Sequence, residues 1–386
     1  METMVMKFGG SSVANDEMLN AVAKKIIEYK KSAKNIVVIV SAQGKTTNNL
    51  IEQGKNLSST PNQREMDVLV SVGEQISASK LAILLNKLGF ASISLTGWQA
   101  GIRTNSIHEQ AKIESINTAR IKQELENKKI VVITGFQGID EYGDITTLGR
   151  GGSDTTAVSI AAALNAGECY IFSDVDGIYS ADPHVVKNAK KIDEISYKEM
   201  EEISGAGAKV LHDRCVHVGE KFDCKIIALS TFENVEGTKV GTKIETTEIK
   251  SIVNNTKINL YRIENDGEIS SREATEVYEC LLKQNIVVDN FKYRQNIEFY
   301  ALQGDENKII KSFESKYKVS SEKIEKISII GYGITQDNSI IMKILEIVKN
   351  RAEIIDLNLS QCKVELLLKN VDSSIVQELH NNLIDK

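Results

Sequence analysis

The stretch Thr147-Leu148-Gly149-Arg150-Gly151-Gly152-Ser153-Asp154-Thr155-Thr156 sets the tightest limit on what this chain can fold into. It follows a turn-rich run, Asp140 to Asp144, and leads into the alanine-rich helical pattern of Ala157 to Ala163. Three glycines, a fixed cation, a hydroxyl and a carboxylate therefore crowd a helix N-terminus. Glycine lets the backbone approach a ligand closely. The free amides and positive dipole end of the helix attract anions, and a guanidinium grips a carboxylate through two parallel bonds. That combination suits a small anionic substrate or a phosphate in transfer. The plainer reading is a glycine turn with Ser153 or Asp154 as an ordinary cap. A dinucleotide fingerprint, Gly149-x-Gly151 with Asp174 downstream, ranks low because Asp154 stands where it needs Gly or Ala and would repel a pyrophosphate.

The surrounding pattern alternates strands and helices. Met4 to Phe8 reads as a strand ending in Gly9-Gly10, Met18 to Tyr29 as a helix with one apolar face, and Ile36 to Val40 as a central parallel strand. Met66 to Leu88 reads as a helix, Ser92 to Leu95 as a strand, Ile113 to Asn127 as a helix, and Ile130 to Thr134 and Tyr170 to Ser173 as strands. This order predicts helices on both faces of a mainly parallel sheet. After about Leu229 the spacing shortens into two cycles of strand-helix-strand-strand-helix, the ferredoxin-like order. Two small α+β modules are expected behind a large α/β domain.

Composition excludes several function classes. A net charge of −6 gives no footprint for nucleic acid. Lysines such as Lys24, Lys25, Lys30 and Lys31 read as solvated helix faces. No apolar run approaches the roughly 20 residues that span a bilayer, and Met1 to Phe8 lacks the core of a signal peptide. A cytoplasmic protein with no membrane partner is expected. Cys169, Cys215, Cys224, Cys280 and Cys362 form no C-x-x-C pair, and the five histidines have no ligand spacing, so no metal-ligand set is assigned.

Four further motifs can carry chemistry. Lys7 precedes Gly9-Gly10-Ser11-Ser12 at a strand end, a phosphate clamp or a plain strand-edge lysine. Ser41-Ala42-Gln43-Gly44-Lys45-Thr46-Thr47 follows a strand but lacks the first glycine of a phosphate loop, since Ile39 stands there. It remains a polar loop at the ligand edge of an open sheet, with Ser41 and Thr47 as donors. Glu74, between Val72 and Ile76, is either an ammonium ligand or a solvated glutamate. The acidic run from Ser173 to Pro183 suits a nucleotide or magnesium-nucleotide pocket, or a solvated loop, and does not follow the calcium-loop pattern.

Taken together, Lys7-Phe8-Gly9-Gly10-Ser11-Ser12-Val13-Ala14, Arg64-Glu65-Met66-Asp67 with Gly73-Glu74, Gly135-Phe136-Gln137-Gly138, Thr146 to Asp154, and Ser173-Asp174-Val175-Asp176-Gly177-Ile178-Tyr179 resemble the aspartate kinases in motif order. The resemblance runs from Lys7 to about Leu211. The tail resembles that family's paired ACT modules more weakly. The resemblance implies a three-layer α/β/α sandwich, the amino-acid kinase fold, over residues 1–232. ACT-like modules at 250–320 and 321–386 follow, the first degenerate and able to interleave with the second. It implies ATP-dependent phosphorylation of the L-aspartate β-carboxylate to 4-phospho-L-aspartate, the first step toward lysine, threonine and methionine, with Mg2+ carried on ATP. Lys7 and Asp154 take the catalytic positions. Ser41, Thr47, Glu74, Arg150 and Ser153 take the aspartate positions. Lys7, Gly9, Gly10, Ser173, Asp174, Tyr179 and Lys209 take the nucleotide positions. A lysine or threonine effector at the ACT modules, and a homodimer or dimer of dimers, are also implied.

The chain departs from the family pattern at Gln43, Gln75, His184 and Asp213, where Met or Ser, Arg, Arg and Pro are usual. Ile263-Glu264-Asn265-Asp266-Gly267 lacks the usual proline-glycine turn, whereas Gly331-Tyr332-Gly333-Ile334 keeps its glycines. Two rival readings are a related kinase acting on glutamate or acetylglutamate, and a regulatory amino-acid-binding protein without kinase activity. The tail and the Ser41 to Thr47 loop argue against the first, and intact Lys7, Arg150 and Asp154 against the second.

Overall fold

The computed structural model describes residues 3–208, 210–241, 247–265 and 267–385. The chain divides into two compact units, Met1–Tyr179 with Lys190–Ile244, and Ser180–Ala189 with Glu245–Lys386. In the first unit the elements run β1 (Thr3–Phe8), α1 (Asp16–Lys30), β2 (Asn35–Val40), α2 (Thr46–Leu57), α3 (Gln63–Lys87), β3 (Ser92–Leu95), β4 (Ile102–Thr104), β5 (Ile113–Ile116), α4 (Ala119–Glu126), β6 (Ile130–Thr134), β7 (Gln137–Ile139), β8 (Ile145–Thr147), α5 (Gly152–Ala163), β9 (Glu168–Ser173), β10 (Glu194–Ile195), α6 (Tyr197–Ala206), α7 (Asp213–Phe222), β11 (Lys225–Ser230) and β12 (Thr238–Val240).

An eight-stranded sheet in the order β10-β12-β11-β9-β1-β2-β6-β3 forms the middle layer. Its centre, from β11 to β3, is wholly parallel. The aliphatic run of β2 is buried from Ile36 to Val40 because helices cover both faces. Met4, Met6 and Phe8 of β1, with Ile36, Val38 and Val40 of β2, pack against α1 and α3. The alternate residues of β1, Val5 and Lys7, point to the other face, where α5 touches β1, β2 and β9. Lys7 is thereby aimed at the α5 side. From β1 the chain leaves to β2 on one flank and later returns as β9 on the other, and such a switch point opens a crevice at the carboxyl ends of the strands.

Several expectations needed correction. Ile113 to Asn127 is not one helix. Ile113–Ile116 pairs with β4 instead, because β-branched Ile113 and Ile116 fit a pleated surface, and the helix starts only at Ala119. A second, four-stranded sheet, β5-β4-β7-β8, ends at Thr147. Helix α2 begins in the polar run read as a loop, buries only Gly54 and leaves Leu57 exposed. Among the described residues α3 alone has the length and mean hydropathy, 1.5, of a membrane span, which separate apolar runs do not reveal. Its buried face, including Asp67 and Glu74, makes it a core helix.

The second unit contains β13 (Ser251–Glu264), α8 (Ser271–Lys283), β14 (Asp289–Tyr293), β15 (Ile297–Leu302), α9 (Glu306–Phe313), β16 (Lys318–Ile330), α10 (Asn338–Val348), β17 (Glu353–Ser360), β18 (Lys363–Lys369) and α11 (Ile375–Leu383). Capping boxes start α6 at Ser196 and α8 at Ser270. One six-stranded sheet, β14-β15-β13-β16-β18-β17, serves two modules. The pairing of β13 with β16 shifts register between Asn255 and Ile258. Beyond the shift, Ile258 to Ile263 also pairs with β15, while Glu325 to Ile330 of β16 pairs with β18. Each long strand therefore serves one module with one half and the second with the other. The module containing α10 and α11 takes its fourth strand from Ser251 to Asn255, upstream of the other module. Ser180–Ala189 also belongs to this unit: Ser180 Oγ lies 2.8 Å from His380 Nε2, and Ala181 and Val186 join the core beside α10 and α11.

Candidate active site

Three loops converge at the carboxyl end of β1. Gly9 N donates to Phe172 O at 3.2 Å, Ser41 N to Phe8 O at 3.2 Å, and Gly44 N to Gly10 O at 3.0 Å. A Cβ on Gly10 would stand 2.8 Å from Ala42 O, so only glycine permits this approach. Gln43, one of the departures, ties the loops further: its Nε2 donates to Val13 O at 2.7 Å and its Oε1 accepts from Lys80 Nζ at 3.3 Å. Gln75, another departure, bonds back to Ser71 O at 3.3 Å within α3.

Lys7 Nζ lies 2.5 Å from Asp154 Oδ1, with both side chains nearly enclosed. Asp154 sits in the first turn of α5, whose N-cap Gly151 is left-handed at φ 66°. Arg150 is exposed between Gly151 and Gly149, the latter also left-handed at φ 74°. Ser153 is buried, and a Cβ on Gly135 would lie 2.7 Å from its Cβ and Oγ. Gly135-Phe136 thus forms the seat of the α5 N-terminus, and Phe136 N donates to Thr156 Oγ1 at 3.1 Å.

Glu74 enters from α3. It is 3% exposed, and its Oε1 accepts the Ala42 amide at 3.0 Å. Its Oε2 is buried without a hydrogen-bond partner among the described residues. Burial pushes this carboxyl up to about 7, outweighing the bonds that favour its charged form. A buried carboxylate with one free oxygen is a receptor for a cation. Ser41 is half-buried beside the Ala42 amide, and Thr47 lies in the first turn of α2.

On the β9 flank, Ser173 Oγ accepts from Val175 N at 3.3 Å, Ser173 O accepts from Thr231 N at 2.8 Å, and Asp174 is exposed. The Tyr179 hydroxyl donates to Asp176 at 2.9 Å, and Lys191 Nζ lies 3.2 Å from the same carboxylate. Burial raises the Asp176 carboxyl, but these bonds outweigh it and hold it below its ordinary value. Lys209 lies outside the described residues. His184 is exposed, and its backbone N–H donates to Asp182 Oδ1 at 2.9 Å. Asp213 accepts from Arg214 N at 2.8 Å and pairs with His212 Nδ1 at 2.6 Å.

The sequence did not mark three supports of this site. Lys25 is not on a solvated face: it is buried, donating to Ser230 O and Glu233 O at 3.0 Å each, because α1 turns it toward the end of β11. Arg214, with no motif of its own, reaches Leu148 O and Ala111 O. Asp67, in the sequence only one member of the Arg64-Glu65-Met66-Asp67 run, is fully buried and makes four polar contacts. Glu201, His217 and Glu220 bring ligand atoms within 4.8 Å of one another on α6 and α7, a spacing only the fold creates.

Residues 2–230 match the model of the amino acid kinase family. The chain is 36% identical to an aspartokinase of Bacillus sp. (strain MGA3) over 398 residues, covering 98% of this chain and 97% of that protein. It is 38% identical to an aspartokinase of Helicobacter pylori (strain J99), covering 95% of each chain. Aspartokinase III of E. coli, solved with aspartate and ADP, shares the fold at a TM-score of 0.81 and 24% identity, over 99% of this chain and 100% of that one. Aspartate kinase from Synechocystis superposes at a TM-score of 0.58 with 28% identity, over 98% of this chain and 68% of that one.

Proposed function

From the premise that the chain belongs to the amino acid kinase family and, within it, to the aspartokinases, we propose how its pocket works. The enzyme is an aspartate kinase. It transfers the γ-phosphoryl of ATP to the β-carboxylate of L-aspartate, yielding 4-phospho-L-aspartate. That carboxylate is already ionised at neutral pH, so the reaction needs no general base. It needs positioning and positive charge. Glu74 receives the substrate ammonium on its free Oε2, and Arg150 takes a carboxylate. Ser41, Thr47 and Ser153 supply the remaining polar contacts. Lys7 meets the charge that develops on the phosphoryl group, and Asp154 fixes the lysine's position. Gly9 and Gly10 let the phosphates approach β1, and Ser173, Asp174 and Tyr179 flank the nucleotide, with Lys209 assigned to the same side.

The Lys7–Asp154 pair at the switch point is the observation that carries this reading. Mg2+ fits as an ion carried on the ATP phosphates. Asp154 and Asp174 offer two carboxylates rather than a full protein cage, the usual way this ion is held beside phosphate. When bound, the ion neutralises phosphate charge. A coupled ADP-release assay with aspartate, glutamate and acetylglutamate as acceptors tests the reading. Turnover is expected with aspartate alone, and its absence would leave an amino-acid-binding protein.

The second unit is read as paired ACT modules that bind an end-product amino acid, lysine or threonine. A second solved form of E. coli aspartokinase III contains lysine as well as aspartate. The strand exchange between β13 and β16 makes the modules one sheet, so a ligand at either strains both. Edge strand β14 and exposed Leu282, Val287 and Tyr293 support assembly of the enzyme as a homodimer or dimer of dimers through this unit. A cytoplasmic location accords with this chemistry.

A further inference from the structure

Arg150 is exposed on a glycine turn, yet a bidentate grip tolerates little error in aim. Arg214 holds Leu148 O from one side, and a buried carboxylate holds the chain from beneath. Asp67, in the second turn of α3, has no exposed surface. Its Oδ1 accepts the Thr147 hydroxyl at 2.5 Å. Both its oxygens accept Glu109 N at 3.1 Å, and its Oδ2 stands 2.8 Å from His108 Nδ1. Thr147 ends β8 just before Leu148-Gly149-Arg150. Glu109 is itself left-handed at φ 65°, and its carbonyl oxygen would lie 2.8 Å from a Cβ on Gly149. Ala111 N donates to Thr147 O at 2.9 Å. One carboxylate thus pins both strands of chain that bracket the Arg150 turn.

Asp67 and Glu74 lie seven residues apart on α3, two turns along one face, and both are buried. We infer that Asp67 is a positioning residue for aspartate binding: through Thr147 and Glu109 it sets Arg150 at a fixed distance from Glu74, so that α3 gauges the separation of the substrate's carboxylate and ammonium. The inference rests on the aspartate-binding reading of Arg150. It makes Asp67 responsible for choosing an acceptor of aspartate length.

Steady-state kinetics of four enzymes test it: wild type, Asp67→Asn, Arg150→Ala and the double variant. Asn is isosteric but lacks the charge and offers one acceptor oxygen where Asp67 presents two to Thr147, Glu109 N and His108. Asp67→Asn is expected to raise KM for aspartate about tenfold or more, the weight of a charge-assisted bond, and to leave KM for ATP unchanged. In the Arg150→Ala background it is expected to add nothing, because there is no guanidinium left to aim. Thr147→Ser, which keeps the hydroxyl, is expected to behave as wild type, and Thr147→Val as Asp67→Asn. Fully additive effects of Asp67→Asn and Arg150→Ala would overturn the inference and leave Arg150 in its role. A normal aspartate KM in Arg150→Ala would overturn the role of Arg150 itself. Equal rises in both Michaelis constants with a lowered melting temperature would show a merely structural aspartate.

Discussion

Lys7 and Asp154 meet at 2.5 Å although one ends a strand and the other opens a helix far along the chain. The pleat of β1 turns Lys7 to the α5 side, and the left-handed Gly151 places Asp154 in the first turn of that helix. The pair gives the pocket a cation held by its own counter-charge, ready for phosphate.

Lys7→Ala should lower kcat by about two to three powers of ten, the usual cost of removing one charge aimed at a transition state. Asp154→Asn should fall comparably, and the double variant should be no worse than the poorer single, since the two act as a unit. Near-normal turnover in Lys7→Ala would remove it from catalysis.

Glu74 makes the enzyme sensitive to pH. Its folded carboxyl titrates near 7, above the ordinary 4.5. The protonated form therefore stabilises the ligand-free protein fully below 4.5, and that stability, about 3 kcal/mol at most, is lost as pH rises through about 7. Glu74→Gln should flatten the dependence of the melting temperature on pH between 5 and 7.

The ammonium of aspartate requires the ionised carboxylate. Aspartate binding should tighten from pH 6 to 8 and release protons near pH 7, which calorimetry in buffers of different ionisation enthalpy measures directly. Proton uptake would contradict the assignment of Glu74.

Arg150→Lys should raise KM for aspartate about tenfold and spare KM for ATP, because an ammonium cannot reproduce a two-pronged grip. A selective loss of ATP affinity would exchange the two halves of the pocket.

Gly135→Ala drives a methyl to 2.7 Å from Ser153. The obstacle includes helix backbone, so α5 has to shift. Urea unfolding should show a loss of about 1–3 kcal/mol, with a weaker aspartate affinity in whatever remains folded. Wild-type stability and affinity would show that the seat gives way freely.

Full-length enzyme should scatter light as a dimer or larger, and its turnover should fall with lysine or threonine. A monomer would defeat the assembly, and unchanged turnover with both effectors would defeat the regulation while leaving the catalytic site untouched.

The motifs were legible because they follow local rules. Aliphatic runs such as Ile36 to Val40 mark buried parallel strands, and glycines beside Arg150 and Asp154 mark a helix start built for anions. Glu74 was legible only as an acid among apolar neighbours. That it is buried with one oxygen free depends on α3 lying against the Ala42 amide. Helix α2 escapes the sequence reading because its first turn is polar and it buries only Gly54, and β5 reads as one helix with α4 because no Gly or Pro separates Ile116 from Ala119. Lys25 reads as solvated because its surroundings come from β11, distant in sequence.

By itself, the sequence determined the alternation of the central strands with helices, the parallel type of their sheet, and the residue types available for phosphate and amino-acid recognition, since these depend on neighbours along the chain. Only the tertiary structure decided which charges meet and which are deprived of water. Lys7 reaches Asp154, Asp67 gathers Thr147 and Glu109, and β13 and β16 exchange halves between modules through contacts between distant segments, whose geometry no local pattern encodes.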